Sequence, residues 1–197
     1  MTSTVRRRPL RALALSLPVA ALVAACGSPG ELSVEEPRPT GDGAEVCEAV
    51  MAALPAAVEG QEPRDVAGPA RFTAAWGDPA IVLRCGVERP RALAPGSDSY
   101  NPMSDAVMVD DVSWLLEERE SGGYLFTTTE RTLFVEVDVP DSYAPEVNVL
   151  VDVAEALHTH LPYDPLWESY YDHPHGAGSA GQRGAETEGA DPGHEGH

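Results

Sequence analysis

Residues 76–87 read WGDPAIVLRCGV, a turn followed at once by a strand pattern. The first four of these residues, called the WGDP turn below, suit a turn because Asp can bond the local backbone, Gly adopts unusual φ angles and Pro fixes its own. From Ala80 onward apolar side chains alternate with others, which predicts a strand with one buried face. The side chains expected on that face are Ile81, Leu83, Cys85 and Val87.

Upstream, residues 45–58 carry apolar side chains at helical spacing, and Cys47 lies on that apolar stripe. Two independent periodicities therefore turn Cys47 and Cys85 toward the same core. In an exported chain this arrangement predicts a structural disulfide. A redox pair and a thiolate metal site remain open as alternatives, although the chain has no C-x-x-C motif and no His near either cysteine.

Downstream, three alternating stretches predict further strands at residues 112–118, 124–130 and 132–139. Residues 89–109 contain several Pro, Ser and Asp and are predicted to form a long exposed loop. Residues 146–161 return to helical spacing. No crossover helix separates the strands. The sequence therefore predicts an α+β fold, a two-layer sandwich with a mainly antiparallel sheet of about four strands and two helices on one face.

The first 25 residues have the composition of a secretory signal peptide. An Arg-rich start precedes an apolar stretch at residues 10–23, which is shorter than the about 20 residues that a membrane-spanning helix needs. Residues 23–26 (VAAC) resemble a bacterial lipobox, whose Cys receives diacylglycerol and becomes the mature N-terminus. Cleavage there without acylation remains the alternative. We expect export, a lipid anchor on Cys26 at the outer face of the cytoplasmic membrane, and a flexible tether over residues 26–43.

The charge of the chain is strongly negative. Its 32 acidic and 13 basic residues give a formal net charge of −19. Four of the Arg residues lie in the leader, so the remaining chain carries 9 − 32 = −23. The negative electrostatic field of such a chain repels phosphate backbones, which argues against nucleic acid as a partner. Attachment to a membrane is therefore expected to come from the lipid and not from a basic patch.

The motif at residues 76–87, together with VSWL at residues 112–115 and FTTT at residues 126–129, resembles an actinobacterial lipoprotein family, domain of unknown function 3515 (DUF3515). The resemblance covers roughly residues 44–162, and we expect one globular domain there. It implies an exported, lipid-anchored envelope protein of a high-G+C Gram-positive bacterium. The family brings no established activity, cofactor or catalytic residue.

Two parts of the chain are candidate sites. Trp76 and Asp78 in the WGDP turn could face a ligand, although the same residues suit a purely structural turn. Residues 163–197 form an acidic, His-rich tail that we expect to be disordered, because it has little to bury. Within it, four histidines could hold Zn²⁺, Ni²⁺ or Cu²⁺. They are His173, His175, His194 and His197.

The sequence contains no recognisable catalytic motif, and residues 44–157 contain no His. We therefore expect a non-enzymatic envelope module that binds an envelope protein or a cell-wall glycan. Two alternatives remain open. One is an enzyme that acts on cell-wall material through carboxylates such as Asp78, and the other is metal chelation by the tail. No cofactor is expected beyond the covalent lipid.

Overall fold

The computed structural model describes residues 30–172, and side chains up to Ser169. The predicted signal peptide, Cys26 and the four tail histidines lie outside this range. The helices are α1 (Asp42–Ala53), α2 (Asn148–His160) and α3 (Pro165–Asp172). The strands are β1 (Thr73–Trp76), β2 (Ile81–Val87), β3 (Ala106–Val109), β4 (Val112–Glu118), β5 (Tyr124–Thr128) and β6 (Phe134–Val139).

Within the described residues six strands form one antiparallel sheet in the order β1-β2-β6-β5-β4-β3. The predicted α+β class and antiparallel pairing are confirmed, but the count of four strands is wrong. β1 reads TAAW, and its small residues have little strand propensity. β3 lies in the predicted exposed loop. It is an edge strand with alternate side chains in solvent.

One face of the sheet carries the hydrophobic core. Ile81, Leu83 and Cys85 of β2 and the inward side chains of β6 are fully buried, as the alternation predicted. Val87, predicted on the same face, is only partly buried, because the strand register shifts between Cys85 and Val87. α1 and α2 pack against this face and against each other. Trp114 on β4 and Phe126 on β5 extend the core toward the β3 edge. The predicted helix at residues 146–161 is found as α2, although Val151 points to solvent while Val149 and Val153 are buried.

The predicted disulfide is confirmed. Cys47 and Cys85 are bonded, with 5.6 Å between their Cα atoms, and both are fully buried. The bond joins α1 to the central part of the sheet through β2. Because the two cysteines are 38 positions apart, the bond closes a long loop.

The N-terminal segment, residues 30–41, lies against the edge of the sheet instead of forming a free tether. Leu32 pairs in parallel with Val66, and its N–H donates to the Asp65 carbonyl at 2.9 Å. The Glu36 carboxylate accepts hydrogen bonds from the Phe72 amide at 2.6 Å and the Thr73 hydroxyl at 2.7 Å. These contacts use backbone groups and one carboxylate, so no apolar periodicity could reveal them.

The tail that was predicted to be disordered from residue 163 begins with an ordered helix. Asp164 caps α3, since its carboxylate accepts from the Leu166 amide at 3.0 Å, and Pro165 occupies the first helical position. The Arg131 guanidinium lies 3.7 Å from the centre of the Tyr163 ring. These contacts hold the start of the tail against the turn between β5 and β6.

No helix within residues 30–172 combines the length and the apolar character that crossing a bilayer requires.

We expect the double substitution Cys47→Ser with Cys85→Ser to lower the free energy of unfolding by about 4 kcal/mol, because the unfolded chain regains the entropy of a long loop. Denaturant titration measures this change. Reductant should destabilise the wild-type protein to a similar extent and leave the double variant unaffected. Equal stability of the oxidised protein and the variant would contradict a structural role for the bond.

Candidate functional site

The two residues of the predicted ligand-facing turn point in different directions, one into the core and one into solvent. Trp76 ends β1 opposite Ile81 and is only 3% exposed, so its indole belongs to the core. Asp78 points outward, with 86% of its side chain exposed, and pairs with Arg64 at 2.8 Å. Arg64 also donates to the Gly77 carbonyl at 3.2 Å. Of the two candidates, only Asp78 reaches solvent.

The backbone of the WGDP turn is fixed from a second side by Tyr143. Its hydroxyl donates to the Pro79 carbonyl at 2.6 Å. A Cβ atom on Gly77 would lie 2.5 Å from this hydroxyl, and the positive φ of 72° independently favours glycine. Burial, and next the charge of Asp78, raise the pKa of Tyr143. These contacts support a structural role for the turn.

An open groove of about 770 Å³ lies beside the turn. Its lining includes Glu31, Glu62, Asp65 and Asp78, with Arg64 among them. The groove is therefore acidic, in keeping with the charge of the whole chain. It does not enclose Trp76.

The second face of the sheet carries ion pairs. Arg84 on β2 stands directly opposite Glu136 on β6 and donates to it from Nε at 2.9 Å. Arg119 lies 2.5 Å from Asp138. The strand register puts Glu117 on the same face. These five residues are called the charged face below. Leu32 to Val34 of the N-terminal segment border a groove of about 410 Å³ over part of it.

Two carboxylates of the charged face, Glu117 and Asp138, have environments that raise the pKa. Burial raises the pKa of Glu117, and the neighbouring charge of Glu136 adds to the increase. Burial also raises the pKa of Asp138, where Arg119 opposes it and Glu136 reinforces it. Carboxyl groups with raised pKa values are candidates for acid–base work, but networks of ion pairs shift pKa values in the same way.

A smaller groove of about 240 Å³ lies at the end of the sheet where β2 ends and β6 begins. We call it the aromatic groove. Arg89 lies 4.9 Å from the centre of the Phe134 ring inside it. Tyr100 and Trp167 contribute partly exposed rings, 46% and 37% accessible. Its principal lining residues are Arg89, Tyr100, Thr129, Phe134, Asp164 and Trp167.

Sequence reasoning missed both the charged face and the aromatic groove. The alternation of apolar and polar residues placed Glu136 and Asp138 on a solvent-facing side of the strand. It could not identify their ion-pair partners, because these depend on strand register. The aromatic groove combines residues from a predicted loop and a predicted disordered tail. The D-P pair at residues 164–165, which suits the first turn of a helix, was the available signal for α3.

No cluster of three or more His, Cys, Asp or Glu side chains suited to a metal ion occurs in the part of the chain that the structure describes. His158 and His160 lie in the last turn of α2. The proposed ligands His173, His175, His194 and His197 lie outside the described residues, so metal binding by the tail stays a prediction.

A family model described as a protein of unknown function, DUF3515, matches residues 10–166. This match covers more than half of the 197 residues and extends beyond the 44–162 range of the sequence resemblance at both ends. No curated protein and no solved structure matches the chain.

We expect Asp78→Asn to change the free energy of unfolding by less than about 1 kcal/mol, because the Arg64–Asp78 pair is exposed. Gly77→Ala should instead cost about 1–3 kcal/mol, since it forces alanine into a left-handed conformation against Tyr143. Denaturant titration of both variants checks the contrast. A large loss from Asp78→Asn would contradict the minor structural role of this side chain.

Glu117→Gln should stabilise the protein at pH 7, because the substitution removes a partly buried charge whose raised pKa marks an unfavourable ionised form. The gain in the free energy of unfolding over the wild type should appear as pH rises from the ordinary glutamate pKa of 4.5 through the raised pKa of the folded protein. Below this window both states hold the proton, and the gain should vanish. Denaturation midpoints measured between pH 3 and 8 test this. Glu118→Gln, at the exposed neighbour, is the control and should change little.

Proposed function

The chain belongs to the DUF3515 family of proteins of unknown function, and on that premise we propose that it is an exported lipoprotein whose domain binds another envelope component. Acylated Cys26 holds it at the outer face of the cytoplasmic membrane. The domain acts as a binding or structural module and not as an enzyme. Its partner is an envelope protein or a cell-wall glycan.

The pairing of the cysteines carries this proposal. The chain has three cysteines, and two of them form the buried Cys47–Cys85 bond. An odd cysteine in an exported protein needs its own explanation. Cys26 is that third cysteine, and it directly follows the lipobox-like residues 23–25. Acylation accounts for both its position and its exclusion from pairing.

The surroundings of the carboxylates support binding over catalysis. Asp78 and Glu136 each face an Arg side chain in an ion pair. A carboxylate neutralised in this way is a poor nucleophile and a poor base. The aromatic groove offers exposed rings instead, and such rings supply contact area at low entropic cost.

One observation favours the enzymatic alternative. Glu117 and Asp138 have raised pKa values on the same sheet face, beside a groove. A carboxylate enzyme on cell-wall glycan would use them as acid and base. Purified protein incubated with cell-wall material tests this directly. Release of sugar that Glu117→Gln and Asp138→Asn both abolish would replace the binding proposal.

We expect Cys26→Ser to abolish metabolic palmitate labelling and to move the protein out of the membrane fraction, because several acyl chains provide stable anchoring. Fractionation and labelling in a producing bacterium measure both effects. Cys47→Ser with Cys85→Ser is the matched control and should keep the label. Labelling that persists in Cys26→Ser would overturn the anchor.

A further inference from the structure

The aromatic groove lies at the opposite end of β2 from the start of the N-terminal segment, residues 30–32, although the segment then runs along β2 and brings Pro39 against Gly86. Gly30 and Glu31 line the acidic groove beside Gly77 and Asp78, just before β2 begins. Arg89 in the aromatic groove follows the end of β2, and Phe134 begins the antiparallel β6. β2 has seven residues, so the two ends are about 20 Å apart at about 3.3 Å per residue.

The attachment to lipid determines which end is close to the bilayer. Leu32 is hydrogen-bonded to the domain through both its N–H and its carbonyl. Six residue steps separate it from Cys26, which is at most about 22 Å of chain at about 3.6 Å per residue. In an anchored domain the acidic groove therefore stays within about 22 Å of chain from the lipid, and the aromatic groove can lie about 20 Å farther from the bilayer.

The lining of the aromatic groove is amphipathic and nearly balanced in charge. The Tyr100 and Trp167 rings offer flat apolar surfaces, while Thr129 and Asp164 offer polar groups. The groove contains two Arg and two acidic residues, namely Arg89, Arg131, Glu130 and Asp164. A sugar ring has matching chemistry, because its C–H face can cover an aromatic ring while its hydroxyl groups bond to charged and polar side chains at the edge.

We propose that the aromatic groove binds a sugar ring of an uncharged cell-wall glycan. This assignment rests on the proposed function and names the partner and the site for it. The volume of about 240 Å³ lies just below the range of about 300–1,000 Å³ typical of drug-sized ligands, which suits a single ring. The strongly negative chain disfavours polyanionic wall polymers, since like charges repel.

Tryptophan fluorescence can report binding at this site. The chain contains three Trp residues, of which Trp76 and Trp114 are buried in the core. A change on ligand addition therefore reports Trp167. We would titrate the anchored protein in detergent with a β-1,4-linked N-acetylglucosamine tetramer, with calorimetry in parallel. The expected result is a saturable fluorescence change, with no response to inorganic polyphosphate.

Two substitutions in the groove and one beside it complete the test. Tyr100→Ala and Trp167→Ala should each weaken tetramer binding about tenfold, the size expected for loss of one aromatic contact. Leu166→Ala changes a neighbouring side chain on α3 that is 73% exposed and outside the groove lining, and it should bind as the wild type does. Circular dichroism confirms that each variant is folded.

Three results would overturn the site. They are absence of saturable tetramer binding, binding unchanged in both groove variants, and an equal response to polyphosphate. Capture of an envelope protein without any sugar response would also count against it, while supporting the binding module. Palmitate labelling at Cys26 is read in a separate assay, so failure of the glycan site is distinguishable from failure of the anchor.

Discussion

The covalent bond between Cys47 and Cys85 is the constraint on which the arrangement of this domain depends. α1 has only 12 residues, begins after Gly41 without a side-chain cap and buries few side chains of its own. A helix of that length is marginal in isolation. The disulfide fixes it to β2, and β2 in turn pairs with β1 and β6. The core against which α2 packs is complete only when α1 is in place.

The two faces of the sheet differ in composition and in role. Its apolar face is closed by helices and holds the fold together. On its charged face, Arg84 pairs with Glu136 and Arg119 pairs with Asp138. Burial raises the pKa of Glu117 on the same face. A close-packed hydrophobic face tolerates little change in side-chain volume, and removing one partner of a partly buried ion pair on the charged face leaves the other charge uncompensated.

Much of the fold could be predicted because β6, and β2 as far as Cys85, alternate between buried and partly exposed residues. The inward residues of β2 and β6, and the turning of both cysteines toward the core, follow from local periodicity. β1 and β3 could not be found this way, since four small or half-exposed residues carry too little pattern. The β3–β4 hairpin turns at Asp110 and Asp111, both with positive φ, where Asn and Gly are the usual signal. The aromatic groove depends on contacts between distant segments, such as Arg131 with Tyr163, which no local pattern contains.

The two hydrogen bonds that Glu36 accepts have a mechanical consequence. They fasten the N-terminal segment to the start of β1, an edge strand, while Leu32 is fastened beside Val66. In a lipid-anchored chain, a pull on the anchor would reach the domain through this segment. It would act along the edge of the sheet, as a shear force on several hydrogen bonds at once. Load shared in that direction is carried by several hydrogen bonds together, so the segment from Leu32 onward would resist being pulled away from the sheet.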